Sequence, residues 1–208
     1  MLKNIFYITS SIAIFFAGII VYGIILNLRE IKLSEAMKEK GLNSISNPTI
    51  IINRKKYTLD LYSDSVKVKQ YKVVFGRNNG FEKNSRNDFI TPIGNYKICH
   101  IDSNYKYYKR LKLNYPNVQD AERSLRKGII SRIEYFTILN ALKKNNCSYI
   151  YTKLGGNISI HGIGKYNIIF KNLPFVFNWT NGSIALSNEN IDELCSVVKI
   201  GTKVKIIH

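Results

Sequence analysis

Leu154-Gly155-Gly156-Asn157-Ile158-Ser159-Ile160-His161-Gly162 and Asn178-Trp179-Thr180-Asn181-Gly182-Ser183-Ile184-Ala185-Leu186-Ser187-Asn188 are the stretches that organise this 208-residue chain. In the first, Ile158 to His161 is a β-branched run that ends on an imidazole and a glycine, as a strand does where it hands a side chain to a loop. In the second, a polar turn containing glycine leads into Ser183–Leu186, short and extended, and then to Asn188, a residue suited to capping a helix. Each pattern alone is common. A histidine closing a strand is more often a satisfied core or surface residue than a catalyst.

The surrounding segments read as a mixed fold with more strand than helix. Residues 49–53, 57–62 and 66–75 alternate or β-branch as strands, and Arg77-Asn78-Asn79-Gly80 ends that run with turn chemistry. A polar loop, 81–94, closes on Thr91-Pro92-Ile93-Gly94 before a strand at 95–102, and residues 103–117 are Tyr-rich and basic. Helices are expected at 119–127, stopped by Gly128, at 131–144, where Ser131 and Glu134 make a capping box, and at 189–199. Gly201 precedes a last strand at 204–207.

Ile5 to Leu28 is apolar except for Thr9, Ser10, Ser11 and Asn27. As a helix, Ile5 to Leu26 spans roughly 33 Å, enough to cross a bilayer. No small-residue cleavage site accompanies it, so residues 1–28 read as an uncleaved signal anchor, 29–47 as a polar, partly helical tether, and 48–208 as the domain. Lys3 on one flank and Arg29, Lys32, Lys38 and Lys40 on the other leave the orientation undecided by charge. The net charge of +17 admits an anionic partner, yet 32 Ile, 23 Lys and 23 Asn make such a chain basic by composition alone. The basic residues are spread rather than clustered, so no nucleic acid is expected. Cys99, Cys147 and Cys195 have no metal-ligand spacing and make no disulfide framework, and His100, His161 and His208 are scattered; neither a metal nor another cofactor is expected.

Taken together and in this order, the motifs resemble the L,D-transpeptidase family, the YkuD-type catalytic domain. The likeness covers roughly residues 48–207. It runs through Thr91-Pro92-Ile93-Gly94-Asn95-Tyr96, Asn114-Tyr115-Pro116-Asn117 with Asp120, the Ile158–Gly162 strand, the Trp179–Gly182 turn, Ile184-Ala185-Leu186 with Asn188, and Gly201-Thr202-Lys203-Val204. The resemblance implies a mainly β, sandwich-like domain with a few flanking helices, preceded by one transmembrane helix. It implies acyl transfer by a cysteine on peptidoglycan stem peptides. By the same resemblance His161 is the base, the Gly162 carbonyl orients its ring, and the N–H groups of Asn181, Gly182 and Ser183 are oxyanion donors. Tyr115, Trp179, Thr180 and Asn181 are expected around the substrate. The domain is expected outside the cytoplasmic membrane (periplasmic or otherwise extracytoplasmic), held by a single pass through residues 5–28.

The nucleophile position departs from the family: Ser183 stands where it has Cys. Asn178 stands where one branch has Asp, and Asn181 where many relatives have a second His. A thiol, with a pKa near 8.5, is readily ionised by a neighbouring imidazole, whereas a hydroxyl reacts only if a base takes its proton during attack. Cys99 next to His100 is a weak substitute pair, because adjacent strand residues face opposite ways. Three functions follow: a member without catalysis that binds stem peptides or supports an active partner enzyme; a transpeptidase, carboxypeptidase or amidase working through Ser183 and His161; or a basic envelope-binding module. The aromatic loop 163–180, with Tyr166, Phe170, Phe175 and Phe177, either lids the cleft or covers it as fixed packing. The basic tyrosine run 105–112 either meets an anionic glycan or lipid surface or forms a solvated edge.

Overall fold

The computed structural model of the chain describes residues 2–28, 30–145, 147, 152–173 and 176–208; Arg29 and Phe175, named above, lie outside them. Thr49 to Ile52, β-branched throughout, form the centre of β1 (Pro48–Asn53), which pairs with β2 (Thr58–Ser63). Leu59 and Leu61 alternate inward on β2, both fully buried, and β3 (Val66–Lys72) follows. With β4 (Gly94–Tyr105), β5 (Tyr108–Leu113), β6 (Ser159–His161), β7 (Ile184–Ala185) and β8 (Lys203–Ile207) these make one sheet of order β3-β2-β1-β8-β4-β5-β6-β7. The β1–β8 and β6–β7 pairs are parallel and the others antiparallel.

The long β4 is the fold line. Gly94–Lys97 pair with β8, and Ile98 onward pairs with β5. Val74, just beyond β3, bridges to Ala185 of β7, so the two ends of the sheet meet and it curls upon itself. Ile50, Ile52, Leu59, Leu61, Ile98, Leu111, Ile160 and Val204 lie in the resulting core. This is the mixed, mainly β domain with flanking helices expected from sequence, made from a single curled sheet. The β4–β5 hairpin within the Tyr-rich stretch was not anticipated. Its turn carries no glycine, Tyr108 itself adopting φ 84°.

Asn117 and Asp120 reciprocally cap α3 (Val118–Arg126), at 2.9 and 3.1 Å. Ser131 and Glu134 do the same for α4 (Arg132–Asn145), at 3.2 and 2.8 Å. In the aromatic loop lies the one-turn α5 (Asn167–Phe170). The cap of α6 (Asn188–Val197) is Ser187, whose hydroxyl accepts the Asn190 N–H at 3.2 Å, one residue before the Asn188 expected. Asn188 instead grips Gly164, accepting its N–H at 2.9 Å and donating to its carbonyl at 3.1 Å.

α1 (Leu2–Leu28) contains Lys3–Ile25, a stretch with the length and mean hydropathy (2.2) of a membrane span. The segment after it is helical in part and is docked against the domain. α2 (Leu33–Glu39) buries Leu33 and Ala36; the Leu33 N–H donates to Glu193 at 2.9 Å, and Asn190 donates to Glu30 at 2.8 Å. Cys99 and Cys147 form a disulfide with Cα atoms 5.4 Å apart, leaving Cys195 as the free thiol. One bond with a cysteine left over is no disulfide framework, but it is a pairing the sequence did not name, and it removes Cys99 as a partner for His100: residues remote in sequence are brought together where the end of α4 meets β4.

Candidate active site

The register of three neighbouring strands builds the site. Across β5–β6, Arg110 stands opposite His161 and Lys112 opposite Ser159. Across β6–β7, Ile160 pairs with Ile184 and His161 with Ala185, which sets Ser183 beside Ser159. Because strand side chains alternate, Arg110, Lys112, Ser159, His161 and Ser183 share one face. That face floors a cleft of about 610 Å³, in the size range of small-ligand sites.

His161 is buried, at 2% exposure. Its Nδ1 lies 2.7 Å from the Gly162 carbonyl oxygen. A carbonyl only accepts, so Nδ1 carries the proton and the neutral ring presents Nε2 as an acceptor. Tyr107 stacks on the imidazole at 5.2 Å between centroids, and Tyr105 and Trp179 meet it edge-on at 5.8 and 5.7 Å. Burial pushes the imidazole pKa down to about 4; the Gly162 bond opposes this, while the Arg110 and Lys106 charges add to it. Position 162 requires glycine, because a Cβ there would stand 2.7 Å from Asn188 Oδ1 and 2.8 Å from the Tyr107 carbonyl.

Ser183 Oγ accepts the Ser159 N–H at 3.2 Å and lies 3.4 Å from Ser159 Oγ. Among the described residues no hydrogen bond joins it to His161. Thr180 shapes the turn: its hydroxyl donates to the Ser183 carbonyl at 2.6 Å and accepts the Gly182 N–H at 3.2 Å. Gly182 sits at φ 110°, a conformation that favours glycine. Its N–H, expected as an oxyanion donor, thus has an internal partner in this structure. The Asn181 amide oxygen accepts from Arg77 at 2.9 Å, which fixes that side chain at the cleft wall. Asn178 retains the acceptor an aspartate would supply, taking the Phe75 N–H at 2.9 Å, and its amide donates to Asn79 at 3.1 Å.

Of the residues expected around a ligand, Trp179, Thr180 and Asn181 line the cleft. Tyr115 does not. It is fully buried, its ring 6.0 Å from that of Tyr96 in the core. Tyr105 and Tyr107, which pack on His161 beside Trp179, come from the unanticipated hairpin, which also contributes Lys106, Arg110 and Lys112, with Arg86 from the polar loop. Among the described residues none that lines the cleft is acidic, although Arg110 is paired from behind with Asp102 at 2.9 Å. Lys112 is 3% exposed, and burial, with Arg110 nearby, pulls its pKa down to about 8. The basic tyrosine run therefore faces the cleft in part, where sequence suggested an outer surface. Its signal was the alternation of Arg110 and Lys112 with the buried Leu111 and Leu113. Among the described residues no group of His, Cys, Asp or Glu is placed to hold a metal ion. Chemically, the site offers a neutral imidazole, two adjacent hydroxyls and a cationic wall suited to carboxylates.

A family profile described as the L,D-transpeptidase catalytic domain (YkuD) matches residues 47–206. No curated protein matches the sequence. Solved structures of similar shape include Bd1075 of Bdellovibrio bacteriovorus, at 17% identity, with 78% of this chain and 48% of that one covered and a TM-score of 0.48. An L,D-transpeptidase from Xylanimonas cellulosilytica is 14% identical over 85% of this chain and 70% of its own, with a TM-score of 0.44. The helical cell shape determining protein Pgp2 from Campylobacter jejuni is 19% identical, covering 84% and 55%, with a TM-score of 0.46. The chain thus spans about half the length of the Bdellovibrio and Campylobacter proteins.

Proposed function

The chain belongs to the L,D-transpeptidase catalytic-domain family, and on that premise we propose that its cleft binds peptidoglycan stem peptides with little or no turnover. The observation that carries this is Ser183, a hydroxyl where the family has a thiol, which among the described residues bonds to Ser159 and not to His161. A cysteine of this family works with an imidazole that can hold a positive charge beside a thiolate. Here the ring is buried and sheds its proton at about 4, and the nucleophile position holds a hydroxyl. For Ser183 to attack, His161 must become imidazolium in the transition state, and Arg110 and Lys106 oppose that charge while only a carbonyl supports it. Each pKa unit withheld from the base is about 1.4 kcal/mol of driving force for the proton transfer. Binding needs none of this. Arg86, Lys106, Arg110 and Lys112 suit the carboxylates of a stem peptide, with Trp179, Thr180 and Asn181 as its wall.

In this reading residues 5–28 anchor the protein by one pass in the cytoplasmic membrane, 29–47 connect, and the domain from 48 lies on the extracytoplasmic side. The Cys99–Cys147 bond supports that placement, because such bonds persist in oxidising compartments. The second reading is a slow serine acyl transferase or hydrolase. It is favoured by the acceptor Nε2 that His161 presents to the cleft.

The test uses the full chain in detergent with tetrapeptide muropeptides, read by mass spectrometry for turnover and by calorimetry for binding. Binding without turnover by the natural chain, lost in Trp179→Ala, with turnover appearing in Ser183→Cys, is the expected outcome. Turnover by the natural chain that Ser183→Ala abolishes overturns it in favour of the serine enzyme. Binding to muropeptides unaffected by Trp179→Ala or His161→Ala points to the basic binding module instead.

A further inference from the structure

The aromatic loop carries a face that neither the core nor the cleft uses. Ile168 is 74% exposed and Ile169 61%, and Tyr166, Val176 and Phe177 are each about half exposed. All lie on one short stretch of the chain, and Phe170 links two of them, its ring 6.4 Å from Tyr166 and stacked on Phe177 at 6.2 Å. Lys165 lies at one end of this turn, and Lys171, paired with Glu189, at the other. Several large exposed apolar side chains on one short segment mark a contact surface.

The position of that surface says what it meets. α1 runs against the same loop: a Cβ on Gly23 would fall on the Asn172 backbone carbonyl. Gly23 is two residues short of Ile25, where the apolar stretch of α1 ends, so the contact lies about 3 Å inside that end along the helix axis. A loop touching a membrane helix at that height stands at the level of the lipid headgroups. Interfacial segments there bury their apolar side roughly 5–10 Å into the headgroup–acyl boundary, with lysines reaching back to the phosphates.

We propose that Tyr166, Ile168, Ile169, Val176 and Phe177 insert into the surface of the bilayer crossed by α1, forming a second membrane contact of the domain. The proposal rests on the anchored reading of α1. It sets the cleft beside the membrane, because Phe170 also meets Trp179 at 6.0 Å, and Trp179 meets His161. Aromatic packing is continuous from the lipid-facing turn to the site.

The test is electron paramagnetic resonance of the full chain, with Cys195→Ser as background, in vesicles of phosphatidylcholine and phosphatidylglycerol. Single spin labels are placed at Ile168→Cys, at Ile133→Cys on the exposed face of α4 (80% exposed), and at Ile14→Cys in α1. Collision with oxygen, which enriches in lipid, is compared with collision with a water-soluble nickel chelate. The expected result is a several-fold higher oxygen-to-nickel ratio at 168 than at 133, approaching that at 14. A lipid signal at 14 with a water signal at 168 overturns the proposal and leaves the anchor standing. A label at 168 shielded from both reagents overturns it in favour of a protein partner on this face. A water signal at 14 removes the anchored reading, and the proposal with it.

Discussion

The buried histidine makes the domain's stability depend on pH in a way that can be isolated. His161 titrates at about 4 in the folded protein, against 6.5 for an unconstrained imidazole. As pH falls below 6.5 the unfolded chain takes up this proton while the folded one refuses it until about 4. The stabilisation is therefore complete above 6.5 and lost progressively down to about 4. A gap of about 2.5 units corresponds to about 3 kcal/mol, little weakened by solvent because the ring is 2% exposed. His161→Gln removes the titration. The assay is urea unfolding of the full chain in detergent at pH 7 and pH 4, followed by the fluorescence of Trp179, the single tryptophan, which reports on the domain rather than on α1. The natural protein should lose about 3 kcal/mol more than the variant between the two pH values. Other groups, such as Glu189, whose pKa is held down to about 2 with Lys171 and Asn167 as partners, act in both proteins and drop out of the difference. Parallel losses in the two proteins would refute the assignment of a neutral, desolvated His161.

Three further perturbations follow from the same geometry. Tyr107→Ala uncovers one face of the ring, so the His161 pKa should climb from about 4 towards 6.5 in a histidine NMR titration, and no change would mean that Tyr107 does not shield it. Gly182→Ala places a Cβ 2.8 Å from the Ile90 carbonyl at φ 110°, and should lower stability by roughly 1–3 kcal/mol or more in thermal unfolding; an unchanged melting temperature would contradict the turn geometry. Cys99→Ser opens a covalent loop with a sequence separation of 48, worth roughly 4 kcal/mol by chain entropy, and reduction of the natural chain should lower the urea midpoint as far as the substitution does; an unchanged midpoint would contradict the bond.

What could be read in the sequence was local or carried by ordered motifs. The β-branched run at 49–52, the Ser131–Glu134 capping box and the succession of family motifs each declare themselves within a few residues. The rest depends on partners far along the chain. The Ser159–Ser183 contact exists only because β6 and β7 pair in parallel at one register. The Cys99–Cys147 bond joins residues whose spacing says nothing about their meeting. The hairpin that roofs His161 was hidden because Tyr108 turns without glycine, and because Arg110 and Lys112 on its cleft face resemble solvent-facing residues. Tyr115 went the other way: its neighbourhood in a family motif suggested the cleft, and the structure uses it as core beside Tyr96.

The bridge between Val74 and Ala185 governs how a peptide can approach. Val74 and Ala185 exchange both backbone hydrogen bonds, each at 2.9 Å, and Thr180 adds bonds to Phe75 and Arg77 at 3.2 and 3.1 Å. The strand beside the site therefore has its outer hydrogen-bonding row occupied by the chain's own backbone. A ligand cannot dock there as an added strand, the route by which many peptide-binding domains read extended partners. Recognition of an extended ligand has to come from side chains reaching into the cleft; on the proposed reading, discrimination between stem peptides would rest on their charged groups rather than on main-chain pairing.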